Sequence, residues 1–202
     1  STPIRAQMTL DELKPHLFSL PDRPAWIPYR TSYYNANWGF CLAHNQLLAL
    51  EDDTYDVVID STLAPGSLTY GELVLPGETT DEVILSTHVC HPSMCNDNLS
   101  GIVVATMLAK TLQEQARRYT YRFLFIPGTI GSITWLALHQ EIMSRIRHGL
   151  VISNLGDPAG FTYKRTRAGD CEIDRVVEHA LAEAGAAHRI IDYVPYGYDE
   201  RQ

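Results

Sequence analysis

The sequence predicts an α/β fold with a mixed, mostly parallel sheet flanked by helices, preceded by a small and mostly β unit. After Gly77, apolar runs of strand length alternate with segments of helical periodicity, which is typical of βαβ units. Before Gly77, short segments of alternating polarity are separated by Pro and Gly, which is typical of strands joined by turns. We therefore divide the chain into a small unit at residues 1–77 and an α/β domain at residues 78–202.

The small unit is predicted to contain little helix, because Pro15 interrupts its first helical segment and several prolines follow. The turn at Pro65-Gly66 is predicted to join two strands into a pair. The predicted elements are a weak helix at residues 10–18, a Pro-rich and Tyr-containing stretch at 20–29, a short helix at 42–50, and strands at 55–60 and 68–75.

The α/β domain is predicted to alternate strands with helices. Gly185 closes the last of these helices. The predicted strands lie at residues 82–87, 121–126, 150–154, 161–165 and 189–194, and the predicted helices at 99–115, 132–146 and 171–184. Residues 196–202 carry no stop signal for a helix or a strand. We therefore expect an incomplete domain in a fragment truncated at both ends.

Composition and charge argue against several classes of function. The chain has 202 residues, of which 45% are hydrophobic, enough for a sizeable core. Its net charge of -8 argues against a nucleic-acid binder, because phosphate contacts require clustered Lys and Arg. No apolar segment approaches the ~20 residues that cross a bilayer, and the N-terminus has no apolar signal core. We expect a cytoplasmic protein without membrane or nucleic-acid partners, with reduced thiols at its four cysteines.

The segment between residues 86 and 101 concentrates groups that bind metals. His88 ends a predicted buried strand, and Asp97 precedes a predicted helix that Asn98 or Ser100 can cap. Ligands of α/β sheets bind at the carboxyl ends of strands, so both side chains are expected at the functional edge. An imidazole and a carboxylate are ligands of hydrolytic zinc sites. We therefore predict that His88 and Asp97 bind a metal ion, against the alternative that His88 is a hydrogen-bonded core residue.

The other polar groups of this segment leave alternatives open. His91 precedes a proline and is held extended, so we expect it to contact a ligand or the substrate rather than the metal. Cys90 and Cys95 could complete a zinc site, or Cys95 could be a nucleophile with His91 as its base. We prefer a third interpretation, in which both thiols are small, packed side chains.

Two further strand ends bring candidates to the same edge. Residues 125–132 form a strand-to-helix turn, which is either a simple turn capped by Ser132 or a donor of amides to an oxyanion. Asp157 is either a turn residue before Pro158 or a third metal ligand. The predicted metal ligands are therefore His88, Asp97 and Asp157, and the residues expected to contact ligands or substrate are His91, Asn98 and Thr129. No residue is assigned a catalytic role.

At these residues the sequence resembles the co-catalytic zinc aminopeptidases of the bacterial leucyl aminopeptidase type. In that family the first His follows an apolar strand, as His88 does here. A bridging Asp lies in an Asn-Asp-Asn/Asp-x-Ser-Gly motif that opens a helix, as Asp97 does here. Over nearly the whole chain, the sequence also resembles a bacterial branch of uncharacterised aminopeptidase-like proteins, sometimes linked with polysaccharide biosynthesis loci. The motifs that carry this second resemblance lie at residues 87–93, 127–132, 161–164 and 195–202.

The resemblance implies a zinc-aminopeptidase-like fold into which a small domain of unknown function is inserted. It also implies one or two zinc ions, with Asp97 as the bridging ligand and Asp157 as the match to a later Asp. Two departures accompany it. Gly128-Thr129 stand where the family has a Glu-Glu pair that supplies a base and a ligand, and the family's distal His would lie beyond Gln202. Alternative sources of a base are His91, Asp199 and Glu200.

We therefore expect a metal-dependent, aminopeptidase-like hydrolase that acts on a small peptide or amide substrate. The alternative is a metal- or ligand-binding module, linked to polysaccharide biosynthesis, that keeps the fold and has lost the Glu base. A cysteine-dependent hydrolase that uses Cys90 or Cys95 has little support. Assembly into a homo-oligomer is left open.

Overall fold

The computed structural model describes residues 1–30, 35–91, 94–195 and 197, and it divides into two compact units. The first unit is Ser1–Gly66 and the second is Ser67–Gln202. This division differs from the predicted boundary at residue 77, because the strand Gly71–Leu75 pairs within the second unit. None of the helices in the described ranges combines the length and apolar character that a bilayer crossing requires.

The first unit is built around an antiparallel pair of strands. Its elements are β1 (Ile4–Thr9), α1 (Leu10–Leu13), a 3-10 helix (Lys14–His16), β2 (Leu17–Phe18), β3 (Phe40–Cys41), α2 (His44–Leu48) and β4 (Thr54–Ile59). β1 pairs antiparallel with β4, and β2 pairs parallel with β3. Glu12 N donates to the Thr9 hydroxyl and Thr9 N donates to Glu12 Oε2, so a capping box starts α1. The predicted helix at residues 10–18 is therefore confirmed only as far as Leu13.

The second unit contains a four-stranded mixed sheet. Its elements are β5 (Gly71–Leu75), β6 (Glu82–His88), α3 (Leu99–Gln113), β7 (Thr120–Ile126), α4 (Ile130–Leu138), a 3-10 helix (Gln140–Arg145), β8 (Ile146–Val151), β9 (Phe161–Lys164), α5 (Glu172–Glu183) and β10 (His188–Ile191). The strand order is β5-β7-β6-β8, with β7 and β8 parallel to β6 and β5 antiparallel to β7. β9 and β10 form a separate parallel pair. The predicted mixed α/β fold class is confirmed.

Helices α3 and α4 cover the two faces of this sheet. Leu85 belongs to the core cluster that includes Ala105 of α3, and the neighbouring Ile84 belongs to the cluster that includes Trp135 of α4. Successive side chains of a strand point to opposite faces, so β6 contributes to both layers. All seven residues of β6 are buried, as expected for an inner strand covered on both sides.

Several predicted elements differ from the observed ones. The predicted pairing of the strands at 55–60 and 68–75 is wrong, because β4 pairs with β1 and β5 pairs with β7. β1 itself was not predicted. The predicted helix at 132–146 is α4 followed by a 3-10 helix, and the strand predicted at 150–154 begins earlier, as β8.

A buried carboxylate fixes the start of α5. Asp174 is 1% exposed and accepts hydrogen bonds from Tyr163 Oη at 2.8 Å, Thr166 Oγ1 at 2.6 Å, and the backbone N–H groups of Thr166 and Cys171 at 2.8 Å each. Burial raises the pKa of Asp174, but these hydrogen bonds outweigh burial and hold the pKa below its ordinary value. The ionised form therefore stabilises the fold.

Asp174→Asn is expected to lower the free energy of unfolding at pH 7 by about 1–3 kcal/mol, because an amide NH2 group would face donors that need an acceptor. Since the folded pKa of Asp174 is lowered, its contribution is present above the unfolded pKa of about 3.9 and is lost as the pH falls through the folded value. Urea unfolding of wild type and variant should therefore differ at pH 7, and the difference should shrink at the lowest pH at which the protein stays folded, below about 3.9. Asp170→Asn, at an exposed carboxylate, is the control. A difference of equal size at both pH values would contradict this account.

Candidate functional site

Three parallel strands bring the predicted site residues to one edge of the sheet. His88 is the last residue of β6 and lies opposite Ile126, the last residue of β7. Thr129 is the N-cap of α4, which follows β7, and Asp157 lies in the loop after β8. The carboxyl ends of parallel strands form the edge where α/β proteins bind ligands. The topology therefore places the predicted residues at the edge that the sequence indicated.

His88 and Asp97 meet at this edge. His88 Nε2 lies 2.7 Å from Asp97 Oδ1. The His88 side chain is 8% exposed, whereas that of Asp97 is 59% exposed. The imidazole is thus held within the protein while the carboxylate is open to solvent. This pair offers one nitrogen and one carboxylate donor to an incoming ion, and metal binding by it stays a prediction.

Asn98 fixes the backbone on both sides of this pair. It is completely buried, and its Nδ2 donates to Thr87 Oγ1 at 2.8 Å and to the carbonyl of His88 at 3.0 Å. Its Oδ1 accepts from Asn154 N at 3.0 Å. Asn98 occupies the N-cap position of α3, but its side chain makes no capping hydrogen bond there. The Asn98 side chain instead joins the start of α3 to the end of β6 and to the loop that follows β8.

A second set of hydrogen bonds holds the loop of Asp157. Asn96 Oδ1 accepts from Gly156 N at 2.7 Å, and Asn96 Nδ2 donates to Asp157 Oδ2 at 3.3 Å. The Ser100 hydroxyl donates to the carbonyl of Asn96 at 2.6 Å and accepts from Leu155 N at 3.0 Å. The segment around Asp97 and the loop after β8 are therefore joined by side chains rather than by strand pairing.

The donor set fits zinc in chemical type. Imidazole nitrogen and carboxylate oxygen are common zinc ligands, and catalytic zinc sites keep three protein ligands and an open position. Within residues 1–30, 35–91, 94–195 and 197, no group of three or more His, Cys, Asp or Glu is placed to hold an ion together. The structure thus brings His88 and Asp97 together and does not complete a three-ligand cluster with Asp157.

The turn after β7 carries Gly128 and Thr129, neither of which is a carboxylate. Ile130 N donates to the carbonyl of Gly128 at 2.7 Å, so the turn is tight. Thr129 has a φ of 57°, a backbone conformation that is uncommon for a β-branched residue. Strained residues of this kind cluster at functional sites. Contact of Thr129 with a ligand or substrate stays a prediction.

His91, Cys90 and Cys95 are exposed. The interpretation of the two thiols as packed side chains is therefore wrong: they lie on a loop rather than on a buried face. Cys41 and Cys171 are exposed as well. Pro92 and Ser93 of the motif at 87–93 lie outside the described residues, as do the alternative bases Asp199 and Glu200.

A cavity of about 840 Å³ lies elsewhere in the second unit, against the face of the sheet that α4 covers. Its walls include Ile84, Leu124 and Trp135. None of the three predicted metal ligands lines it. The cavity and the candidate metal site are therefore different places, and the chemistry at the strand ends is the better guide to function.

Residues 14–202 match a protein family described as a domain of unknown function, DUF4910. The chain belongs to this family. Along its entire length the DUF4910 chain is 52% identical to a Clostridium acetobutylicum protein named "Putative polysaccharide biosynthesis protein with aminopeptidase-like domain". A crystal structure from the same organism, described as a "putative peptidase", matches all of the chain with a TM-score of 0.93 and 51% identity. The chain spans about half of these proteins, 46% of the first and 48% of the second.

These comparisons show that the DUF4910 chain is similar to proteins named aminopeptidase-like and putative peptidase, and that it shares the fold of the second. The expected resemblance to aminopeptidase-like proteins is confirmed to that extent, and the zinc aminopeptidase type stays a prediction. Sequence reasoning assigned no role to Asn96, and it considered Ser100 only as a possible cap of the helix after Asp97. Their positions, one residue before and three residues after Asp97, were a signal, but their partners at residues 155–157 are distant in sequence.

Proposed function

We propose that this DUF4910 chain forms part of a metal-dependent, aminopeptidase-like hydrolase that acts on a peptide or amide bond. The observation that carries the proposal is the distance of 2.7 Å between His88 Nε2 and Asp97 Oδ1 at the carboxyl edge of the sheet. An imidazole and a carboxylate that lie side by side, with one of them open to solvent, are a suitable pair of zinc ligands. The names of the two relatives, which contain "aminopeptidase-like" and "peptidase", support the same class of reaction.

His88 and Asp97 would hold the ion, with Asp157 as a third ligand from the loop after β8. A zinc ion bound there would polarise a substrate carbonyl and lower the pKa of bound water. The chain's own residues orient these groups: Asn98 fixes the backbone of His88, and Asn96 bonds to Asp157. Because the relatives are about twice as long, further ligands and substrate contacts are proposed to come from residues outside this chain.

The hydrolysis proposed here needs a residue that accepts a proton from water. Gly128 and Thr129 cannot take a proton from water, so the base must lie elsewhere than after β7. His91 is exposed and lies in the loop after β6, three positions beyond His88. We assign it the role of proton acceptor, because histidine is the side chain that most often serves as a general base.

A second candidate function follows from the same turn. Since Gly128-Thr129 replace the expected carboxylates, the site could bind a metal or ligand without hydrolysis. The relative named for polysaccharide biosynthesis makes such a module in that process the alternative. It predicts metal binding without turnover, whereas the hydrolase predicts both.

His88→Ala and Asp97→Asn are each expected to weaken zinc binding to the full-length protein by about 100-fold, since loss of a ligand exceeds the 10- to 100-fold effect of losing its hydrogen-bond partner. Zinc affinity is measured by competition with a chromophoric chelator. Turnover of aminoacyl and acyl-amide substrates is measured before and after chelation. The matched controls are His179→Ala and Asp170→Asn, at exposed positions.

Stoichiometric zinc with turnover that stops on chelation would support the hydrolase. Stoichiometric zinc with no turnover would replace it by the binding module. Zinc affinity that is the same in wild type, His88→Ala and Asp97→Asn would contradict the metal site itself. Activity that survives chelation and is lost on thiol alkylation would favour Cys90 or Cys95 instead.

A further inference from the structure

Both asparagines that flank Asp97 bond to the loop after β8, and only Asn98 also bonds to the end of β6. Asn98 bonds to the end of β6, through the hydroxyl of Thr87 and the carbonyl of His88. Asn96 bonds to the loop after β8, through Gly156 N and Asp157 Oδ2. Asp97 is therefore anchored between two asparagines, one for each of the other predicted ligands.

Asn96 is itself held in place from two sides. The Ser100 hydroxyl lies 2.6 Å from the Asn96 carbonyl and 3.2 Å from Asn96 Oδ1. Gly156 lies so close that an added Cβ would be 2.9 Å from Ser100 Cβ and 3.0 Å from Asn96 Oδ1. The loop after β8 thus lies directly on the segment that precedes α3, and any larger residue at 156 would push the two apart.

Both oxygens of Asp157 have a donor. Asn96 Nδ2 lies 3.3 Å from Oδ2, and Ala159 N donates to Oδ1 at 2.8 Å. The contact with Ala159 N is local and orients the carboxylate within its own loop. The contact with Asn96 instead joins the carboxylate to the residue next to Asp97. An ionised carboxylate offers about four lone-pair sites, so these two hydrogen bonds leave room for a cation.

We propose that Asn96 is a positioning residue for metal binding, whose carboxamide fixes the Asp157 carboxylate relative to Asp97. The inference rests on the proposed function and adds to it a residue for which sequence reasoning assigned no role. Asn96 does not bind the ion. It acts through Asp157, in the way that outer hydrogen-bond partners orient the ligands of metal sites.

The test is a double-mutant cycle on the full-length protein with zinc as the probe. Asn96→Ala is expected to weaken zinc binding about tenfold in the wild-type background and to have no further effect when Asp157→Asn is already present. The melting temperature of the metal-free protein is measured for every variant, so that loss of fold is separated from loss of affinity. Asn45→Ala, at an exposed asparagine of the first unit, is the control.

Ser100→Ala provides a second variant if Asn96→Ala does not fold, because it removes the hydroxyl that holds Asn96. Ser100→Ala should weaken zinc binding by about threefold, which is less than the effect of Asn96→Ala. This weakening should again disappear when Asp157→Asn is present. Equal weakening with and without Asp157→Asn would overturn the inference, as would unchanged affinity in Asp157→Asn alone. If wild type and His88→Ala bind zinc equally, the proposed function fails too. If His88 is required and the cycle is additive, this inference alone fails.

Discussion

Glu82→Ala is expected to lower the free energy of unfolding by about 3–5 kcal/mol, because it removes a buried carboxylate from a guanidinium that stays charged. Arg122 of β7 is 9% exposed, and Glu82 of β6 is 2% exposed. Arg122 Nε lies 2.7 Å from Glu82 Oε2, and Arg122 Nη2 lies 3.1 Å from Glu82 Oε1. Such a two-pronged contact is the strongest geometry available to an Arg and a carboxylate.

The charge on Arg122 cannot be relieved by deprotonation. Burial lowers the pKa of the guanidinium, but the carboxylates of Glu82 and Glu72 outweigh burial and hold the pKa above its ordinary value. Without Glu82, only Glu72 of β5 remains as an ion-pair partner among the described residues. Removing one partner of a buried ion pair destabilises the fold by far more than the intact pair stabilises it, because the remaining ion stays charged inside the sheet without that partner.

Equilibrium urea unfolding followed by tryptophan fluorescence measures this loss. Glu78→Ala, at an exposed position, should change the free energy of unfolding by no more than about 0.5 kcal/mol. Arg122→Ala and the double variant close a cycle, in which the coupling energy should be large because the two residues are in direct contact. A loss below about 1 kcal/mol for Glu82→Ala would mean that water enters the sheet and solvates Arg122.

The alternation of strands and helices in the second unit could be predicted because each element carries its own periodicity. Val83-Ile84-Leu85 forms the centre of an inner strand, and α3 follows at nearly the predicted bounds. What periodicity did not indicate is which helical residues face the sheet. The buried residues of α3 are Gly101, Ala105 and Ala109, whereas the larger Val103 and Met107 are exposed. Small residues let the helix lie close to β6, a constraint that hydrophobicity alone does not express.

Strand pairing was the less predictable part of the fold. The turn at Pro65-Gly66 favours a hairpin, yet β4 pairs with β1 and β5 pairs with β7. Each of these strands has a distant partner, and a local turn signal carries no information about such partners. β1 did carry a local signal, because Ile4, Ala6 and Met8 alternate with polar residues along its whole length, and this signal was missed. Its partner β4 is distant in sequence.

Part of the candidate site could be predicted from the sequence, and part could not. His88 and Asp97 could be predicted because one short segment contains both and topology puts strand ends at a ligand-binding edge. The hydrogen bonds of Asn96 and Asn98 to residues 154–157 could not be predicted, because they cross between loops that only the folded sheet brings together. Composition likewise did not predict that the thiols of Cys90 and Cys95 are exposed, because cysteine outside disulfides is usually buried.

Gly101→Ala is expected to destabilise the chain by about 3 kcal/mol, at the upper end of the cost of overpacking a core. An added Cβ would lie 2.4 Å from Asn98 Oδ1, 2.6 Å from the carbonyl oxygen of Ile152 and 2.8 Å from Thr87 Oγ1. None of these atoms is the free end of a flexible side chain. The Asn98 and Thr87 side chains are bonded to each other, and Thr87 Oγ1 donates to the same Ile152 carbonyl at 2.9 Å.

The clash outweighs the roughly 1 kcal/mol that alanine gains over glycine in a helix interior. It would displace Asn98, whose carboxamide holds the backbone of His88, so zinc affinity should fall together with stability. Gly149→Ala is the matched control, because its nearest atom, the Ile84 carbonyl oxygen, would be 3.9 Å from the new Cβ, and the change should stay within about 1 kcal/mol. If Gly101→Ala unfolds at the same urea concentration as Gly149→Ala, then α3 can move away from β6 at no cost. The tight contact between Gly101, Asn98 and Thr87 would then not be what holds His88 beside Asp97.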